Sequence, residues 1–118
     1  MALLHTLEVL NANRKHPLWI AGGDYNMITN LEEKLGGRNS LEQENTHFKN
    51  FIQNASLIDL QFCNGTFTWS NRRAGKHQIA SKLDRFLISD NAVHLRGDIS
   101  AAILPHIGSD HWSIALQW

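Results

Sequence analysis

Three short polar runs constrain the fold and chemistry of this chain more than any other part of the sequence. They are Gly22-Gly23-Asp24-Tyr25-Asn26, Ser81-Lys82-Leu83-Asp84-Arg85 and Gly108-Ser109-Asp110-His111. Each run places carboxylate, amide or imidazole groups beside a stretch with the apolar pattern of a β-strand. Because a folded sheet brings strand ends from distant parts of a chain together, we expect these polar groups to meet at one site.

Apolar periodicity predicts helices and strands around these runs. Leucines at helical spacing predict a first helix over residues 2–13, in which Glu8 is a solvated residue. Ser40, followed three residues later by Gln43, has the form of a capping box and predicts a second helix over 41–54. Short helical turns are expected at 31–35 and 91–95, and strands at 18–21, 57–60, 66–70, 83–89, 99–104 and 112–118.

Composition is that of an ordinary globular domain. The 118 residues suit one domain, and 11 basic residues balance 11 acidic ones, so the overall positive charge typical of nucleic-acid-binding proteins is absent. No apolar run approaches the roughly 18 residues of a membrane span, so no membrane association is expected. Cys63 has no second cysteine to pair with and the amino terminus lacks a secretion leader, which predicts an intracellular protein, nuclear or cytoplasmic.

The first polar run has two interpretations. Hydrolysis of a phosphodiester needs an activated water and stabilisation of charge on the phosphate oxygens. Asp24 can hold or deprotonate the water, and the Asn26 amide, two residues on, can orient the water or the phosphate. Glycine, aspartate and asparagine are also the usual residues of turns, so a purely structural turn is the alternative.

The other two runs supply complementary groups. Asp110 suits a hard cation such as Mg²⁺, which prefers oxygen ligands. His111 can donate a hydrogen bond to a phosphate oxygen if a carboxylate on its other nitrogen fixes the tautomer or favours the charged form. Asp84 is the best candidate for that carboxylate. The alternative is an ordinary ion pair of Asp84 with Arg85 or Lys82, and residue types alone do not decide between the two.

Positive charge is concentrated locally. Five of the 11 basic residues fall within fourteen positions: Arg72, Arg73, Lys76, Lys82 and Arg85. The acids Glu32, Glu33, Glu42 and Glu44 lie elsewhere and are expected to face away from a polyanion. In the segment between two predicted strands, Arg72, Arg73, Lys76 and His77 suit contact with DNA phosphates. A solvated loop is the alternative interpretation.

The three runs, taken in order, resemble the second half of an endonuclease/exonuclease/phosphatase domain, a superfamily of Mg²⁺-dependent phosphodiesterases. The sequence is particularly similar to endonucleases of LINE-type retrotransposons, for which Phe67-Thr68-Trp69-Ser70-Asn71 is also typical. The resemblance implies a DNA-binding loop at the basic segment and the following site: catalytic Asp24, Asn26, Asp84 and His111, with Asp110 as a Mg²⁺ ligand. Tyr25 stands where many relatives carry phenylalanine.

Domains of that superfamily run to roughly twice this length, and their first half supplies a metal-binding glutamate and a substrate-binding asparagine. The resemblance therefore implies an α/β fold that is half of a two-sheet sandwich: one mixed or mostly antiparallel sheet flanked by helices, forming a single domain over 1–118. The expected function is metal-dependent DNA cleavage, impaired in the isolated half. The alternatives are a non-catalytic remnant that binds nucleic acid weakly or acts as an interaction module, and a phosphatase of the same superfamily. An apolar sheet face is expected to favour self-association or docking of the missing half.

Overall fold

The structure, a computed structural model, describes residues 3–9, 18–38, 40–91, 99–105 and 110–118. Their α-helix, α1, spans Gln43–Asn54, and short 3₁₀ turns lie at Leu31–Glu33 and Gly75–His77. The strands in chain order are Leu3–Val9 (β1), Leu18–Asp24 (β2), Lys34–Leu35 (β3), Leu57–Asp59 (β4), Trp69–Ser70 (β5), Ala80–Ser81 (β6), Asp84–Ser89 (β7), Ser100–Ile103 (β8) and Ile114–Gln117 (β9).

The largest sheet contains four strands in the order β1-β2-β7-β4, and every pair is antiparallel. Strand β7 is paired on both sides, and four of its six residues are buried. Ile88, in this strand, is completely buried. The register of β2 against β7 runs from Ile20 opposite Ile88 to Asp24 opposite Asp84, which brings the first two polar runs to one end of the sheet.

The helix covers one face of this sheet and forms the main core with it. Phe48 and Ile52, one turn apart on α1, pack with Leu87 of β7 and with Tyr25, just beyond β2. The Tyr25 and Phe48 rings stack with their centroids 5.2 Å apart. Burial of a large apolar side chain contributes about 1.5–3 kcal/mol. This cluster therefore anchors the residue that separates Asp24 from Asn26.

Two smaller sheets complete the fold. β3, β6 and β5 form a three-stranded sheet with β6 in the centre, and β8 pairs with β9. A single antiparallel bridge joins Trp69 of β5 to His111, and a parallel bridge joins Phe62 to Ala101 of β8. The Trp69 bridge brings the third polar run to the edge of the three-stranded sheet.

The predicted α/β class and antiparallel pairing are confirmed, although the strands divide among three sheets and the sequence predicts one. The division arises at Lys82 and Leu83, between β6 and β7. There the backbone N–H of Lys82 donates to the carbonyl of Glu33, at 2.8 Å, and that of Tyr25 donates to the carbonyl of Leu83, at 2.9 Å. The chain thus leaves one sheet before it enters the next.

The prediction of a helix over 2–13 is wrong. Residues Leu3–Val9 form β1, which pairs with all seven residues of β2 from Leu3 opposite Asp24 to Val9 opposite Leu18. Leucines at positions 3 and 7 fit a two-residue repeat as well as a helical one, and β1 covers an edge of β2 that would otherwise lack partners. Glu8 is therefore a strand residue, opposite Trp19 and five positions along β1 from the partner of Asp24.

The other predicted elements agree with the structure in existence and differ in extent. The helix over 41–54 is confirmed as α1, but its capping box joins Glu42 to Asn45 and not Ser40 to Gln43. The strand over 66–70 shortens to the two residues of β5, Trp69–Ser70. The turn at 31–35 is a 3₁₀ turn of three residues. The helix predicted at 91–95 and Gly108-Ser109 lie outside the described residues, apart from Asn91.

The sheet face opposite α1 meets β9 across an open apolar groove. Its volume is about 300 Å³, and its apolar side chains come from three strands and the carboxyl end: Ile20, Phe86, Ile114, Leu116 and Trp118. Trp118 remains 53% exposed. Association through this groove stays a prediction. Among the described residues, no helix has the length and apolar character to cross a membrane.

Candidate functional site

The site lies where β2 ends and β7 begins. Asp24, the last residue of β2, is paired directly with Asp84, the first residue of β7. Directly opposite residues of antiparallel strands share one face of the sheet, so both carboxylates belong to the same face. Gly22 and Phe86 pair two residues further in, and a Cβ on Gly22 would lie 2.6 Å from the Phe86 ring. Glycine is thus required at this position for the ring to lie across β2.

His111 lies between the two carboxylates. Its Nδ1 is 2.8 Å from Asp84 Oδ2, and its Nε2 is 3.7 Å from Asp24 Oδ2. The Asp84 side chain is the more buried of the pair, at 12% exposure against 37% for Asp24. The three predicted polar runs therefore converge, and the expected pairing of Asp84 with His111 is confirmed.

The alternative partners of Asp84 are engaged elsewhere. Arg85 donates to Glu33 and to Asp59, and Lys82 forms an ion pair with Asp59 at 3.5 Å. Both cations lie inside the protein, at 0% and 1% exposure. Arg85 is directed away from Asp84 because adjacent residues of a strand point to opposite faces, and Lys82, which precedes β7, pairs with Asp59.

The electrostatic environment favours the protonated form of His111. Burial lowers the pKa of the imidazole, but the hydrogen bond and negative charge of Asp84 outweigh burial, and the charges of Asp24 and Asp110 add to them. The net result is a pKa above the ordinary value of 6.5. A charged imidazole carries a proton on both ring nitrogens, so Nε2 is a donor on the side of the ring that faces Asp24.

Thr68 fixes the spacing of this pair. Its completely buried hydroxyl accepts hydrogen bonds from the backbone N–H groups of Leu83 and Asp84, each at 3.0 Å. Its backbone carbonyl accepts from the N–H of Trp112, at 2.7 Å. Thr68 thus holds the backbone of Asp84 and that of the residue after His111 at the same time. Sequence reasoning recognised only the motif that contains it.

Asn26 lies at the exposed edge of the site. Its φ of 56° is in the left-handed region, and its backbone N–H donates to Asp24 Oδ1 at 2.8 Å. That contact is the turn expected from the residue types, and it is compatible with either interpretation of Asp24 and Asn26. Asn26 also borders a groove of about 350 Å³ that continues past Ser81 and Leu83 toward Lys34. The turn therefore presents the Asn26 residue at an open surface beside Asp24.

Asp24, Asp84 and His111 form a group that can hold a metal ion, since one ligand atom from each lies within 4.8 Å of the others. Asp110, the predicted metal ligand, is not one of these three. Its carboxylate accepts a hydrogen bond from the Trp69 indole N–H at 3.3 Å, and its backbone carbonyl accepts from Ser70. Asp110 is nevertheless close enough for its charge to raise the pKa of His111.

The basic segment forms an exposed hairpin connection between β5 and β6. Asn71 stabilises its base: its side chain accepts from the N–H groups of Arg73 and Ile79 and donates to the carbonyl of His77. Four predicted DNA-contacting residues are exposed on it: Arg72, Arg73, Lys76 and His77. Lys82 and Arg85 are buried and do not belong to this surface, so the basic patch is smaller than the sequence predicts.

A buried network of four charged residues was missed by sequence reasoning. Glu33, expected only to face away from a polyanion, is 5% exposed and pairs with Arg85 at 3.0 Å. Burial raises the pKa of Glu33, but the hydrogen bond and charge of Arg85 outweigh it and lower the pKa below its ordinary value. Asp59 pairs with both buried cations. The available signal was the position of Asp59 at the end of an apolar run, where an unpaired charge is costly.

Comparison of the chain with protein-family models, with curated proteins and with solved structures finds no match.

Proposed function

We propose that this chain hydrolyses phosphodiesters in a metal-dependent reaction and that its substrate is DNA. The observation that carries the proposal is the array of Asp84, His111 and Asp24, in which an imidazole bound to a buried carboxylate directs its second nitrogen toward an exposed carboxylate. This array unites three motifs that resemble those of LINE-type endonucleases. The resemblance extends to Asn26 and Asp110 at its margin.

The roles follow from burial and hydrogen bonding. Asp84 fixes the orientation of His111 and stabilises its positive charge, so Nε2 donates to a non-bridging phosphate oxygen. Asp24 is more exposed and accepts the proton of the attacking water or holds the water in line. The side-chain amide of Asn26 contacts the phosphate on the side opposite His111.

The carboxylate ligands at the site are compatible with Mg²⁺ but few in number. Mg²⁺ takes oxygen ligands in octahedral geometry and keeps several waters, and when bound it would neutralise charge on the phosphate and lower the pKa of water. Asp24 is the first candidate ligand because it is the more exposed carboxylate, although its Oδ1 accepts the N–H of Asn26, and Asp84 accepts a hydrogen bond from His111. Asp110, beside them, is the second candidate ligand. With so few anionic oxygens, we expect weak Mg²⁺ binding at millimolar concentration and slow cleavage.

DNA is the favoured substrate because the basic hairpin begins at the site. Trp69 of β5 is bridged to His111, and the exposed cations Arg72, Arg73 and Lys76 follow within the next connection. Cations placed beside a cleavage site bind the phosphates that flank the bond to be broken. A phosphorylated small molecule has no flanking phosphates for these cations to bind.

The test is nicking of supercoiled plasmid DNA in Mg²⁺, with His111→Gln as the inactivating variant. Lys49→Gln, on the exposed side of α1 and outside the groove that Asn26 borders, is the control for loss of a charged side chain away from the site. We expect slow nicking by the wild type and by the control, and none by His111→Gln. Equal nicking by all three would refute the proposal.

The same preparation distinguishes the alternatives. Binding of DNA without nicking at any Mg²⁺ concentration would favour a non-catalytic binding module. Release of phosphate from a small phosphomonoester, lost in His111→Gln and unaccompanied by DNA nicking, would favour a phosphatase. In that case substitution of Arg73 would leave the activity unchanged.

A further inference from the structure

We propose that Arg85 is a positioning residue that fastens the turn carrying Asn26 to the strand carrying Asp84. Its Nη2 donates to two backbone carbonyls, those of Met27 and Lys82, each at 2.9 Å. Met27 follows Asn26 directly, and Lys82 lies two residues before Asp84. One guanidinium therefore bridges the two segments that supply the site, although it contacts none of the site side chains itself.

Two carboxylates hold the guanidinium in place. Nη1 donates to Asp59 at 2.6 Å and to Glu33 at 3.2 Å, and Nη2 donates to Glu33 at 3.0 Å. Glu33 also contacts the segment that follows Asn26, because its carboxylate accepts a hydrogen bond from the backbone N–H of Thr29 at 2.8 Å. The planar fork of arginine reaches all of these acceptors, with the two hydrogens of Nη2 shared among three of them, and the single ammonium group of lysine cannot span the same positions.

The turn depends on contacts that fix its backbone. Asn26 adopts a φ of 56°, in the left-handed region, which asparagine tolerates better than most residues but which is held only where the surroundings determine it. On one side the turn is tied by the N–H of Tyr25, which donates to the carbonyl of Leu83 at 2.9 Å. Arg85 provides the tie on the other side of Asn26. Without it, the segment after Asn26 would lose its attachment to the linker between β6 and β7.

Lys82 offers a matched control. Like Arg85, it is a buried cation that pairs with Asp59. The other contacts of its side chain are the carbonyl of Leu60, at 3.4 Å, and the ring of Phe62, at 5.1 Å. These contacts lie on the β4 side of the network and do not involve the Asn26 turn. Replacement of the Lys82 side chain thus tests the effect of losing a buried cation while the hydrogen bonds of Arg85 to the carbonyls of Met27 and Lys82 remain.

The experiment is amide hydrogen exchange measured by NMR on the full chain, with the N–H of Tyr25 as the probe of the turn and that of Ile88 as the internal reference. In Arg85→Lys, we expect exchange at Tyr25 to accelerate about tenfold relative to Ile88, since the turn loses hydrogen bonds while the sheet is retained. In Lys82→Met, the ratio of the two exchange rates should equal that of the wild type. An unchanged ratio in Arg85→Lys, or the same change in both variants, would overturn the proposal.

Glu33→Gln keeps the measurement decisive if Arg85→Lys does not fold. It retains the shape and most hydrogen bonds of Glu33 but removes the charge that orients the guanidinium, so the Tyr25 to Ile88 ratio should rise by a smaller factor in the same direction. A ratio equal to that of the wild type would count against the fastening.

The importance of this fastening for catalysis rests on the proposed hydrolysis, whereas the exchange measurement does not. If the wild type nicks DNA, Arg85→Lys should lower kcat and leave KM unchanged, because substrate-binding groups on the hairpin are untouched. If exchange at Tyr25 responds as expected and no nicking is found, the positioning of the turn is correct and the proposed function is wrong. If the wild type nicks DNA and the exchange ratio is unchanged in Arg85→Lys, the proposed function stands and the positioning role of Arg85 is wrong.

Discussion

Removal of the Thr68 hydroxyl should destabilise the fold and separate Asp84 from His111. In Thr68→Val, the shape of the side chain is retained, but the backbone N–H groups of Leu83 and Asp84 lose their shared acceptor. Each buried donor left unsatisfied costs about 1–3 kcal/mol, so the two together cost about 2–6 kcal/mol. Thr68 is completely buried, and bulk water therefore cannot replace the hydroxyl. Such a loss is a large part of the total stability of a domain, which is typically about 5–15 kcal/mol.

Thr68→Ser is the matched control because it keeps the oxygen and removes only a methyl group, at a cost of about 1 kcal/mol. Urea denaturation measures both variants, and NMR titration of His111 in the folded state reports the pair directly. In Thr68→Val, the pKa of His111 should fall toward its ordinary value, and in Thr68→Ser it should stay raised. Equal stability of the two variants, or an unchanged pKa in Thr68→Val, would refute this account of how Thr68 acts.

Three further predictions concern the Asp84–His111 pair, the basic hairpin and the contact between Gly22 and the Phe86 ring. In Asp84→Asn, the pKa of His111 should fall because the carboxylate that raises it is lost. In the wild type, the raised pKa of His111 contributes stability that is fully present below pH 6.5 and is lost as pH rises through the folded-state pKa. The urea midpoint of the wild type should therefore fall with rising pH over this range, and that pH dependence should be lost in Asp84→Asn. Arg73→Ala should reduce the slope of log affinity for DNA against log salt by about 1, measured by fluorescence anisotropy, if Arg73 contacts one phosphate. Gly22→Ala should lower the thermal midpoint, and Phe86→Leu should lessen that loss by removing the ring that the new Cβ would meet at 2.6 Å; additive losses in the double variant would count against this contact.

Sequence reasoning was successful for local features of the site. The turn at Asp24 and Asn26 is predicted by glycine and asparagine chemistry, and the structure contains it. Residue types leave Asp84 with two possible partners, His111 or a neighbouring cation, and the 2.8 Å contact with His111 in the structure decides between them. A turn is a local requirement that single residues can predict, whereas the choice of a distant partner is not.

The buried charges and β1 could not be predicted because they depend on tertiary contacts. Arg85 and Lys82 have the same spacing in sequence whether they lie on a basic surface or inside the protein, and only the positions of Glu33 and Asp59 decide between the two. Leucine spacing near the amino terminus fits either period, and pairing with β2 selects the strand. Asp110 was assigned to the metal from its residue type and the resemblance, whereas its contact with Trp69 depends on how β5 approaches the site.

The central claim is that Asp24 and His111 act together on a metal-bound phosphodiester. Its most direct test is the initial rate of plasmid nicking as a function of Mg²⁺ concentration, for the wild type and for Asp24→Asn. The wild-type rate should be zero in EDTA. It should rise with Mg²⁺ without saturating in the low millimolar range, because few carboxylates are present to bind the ion. Asp24→Asn should show no nicking at any concentration. Nicking that persists in EDTA, or that is the same in Asp24→Asn as in the wild type, would contradict the claim.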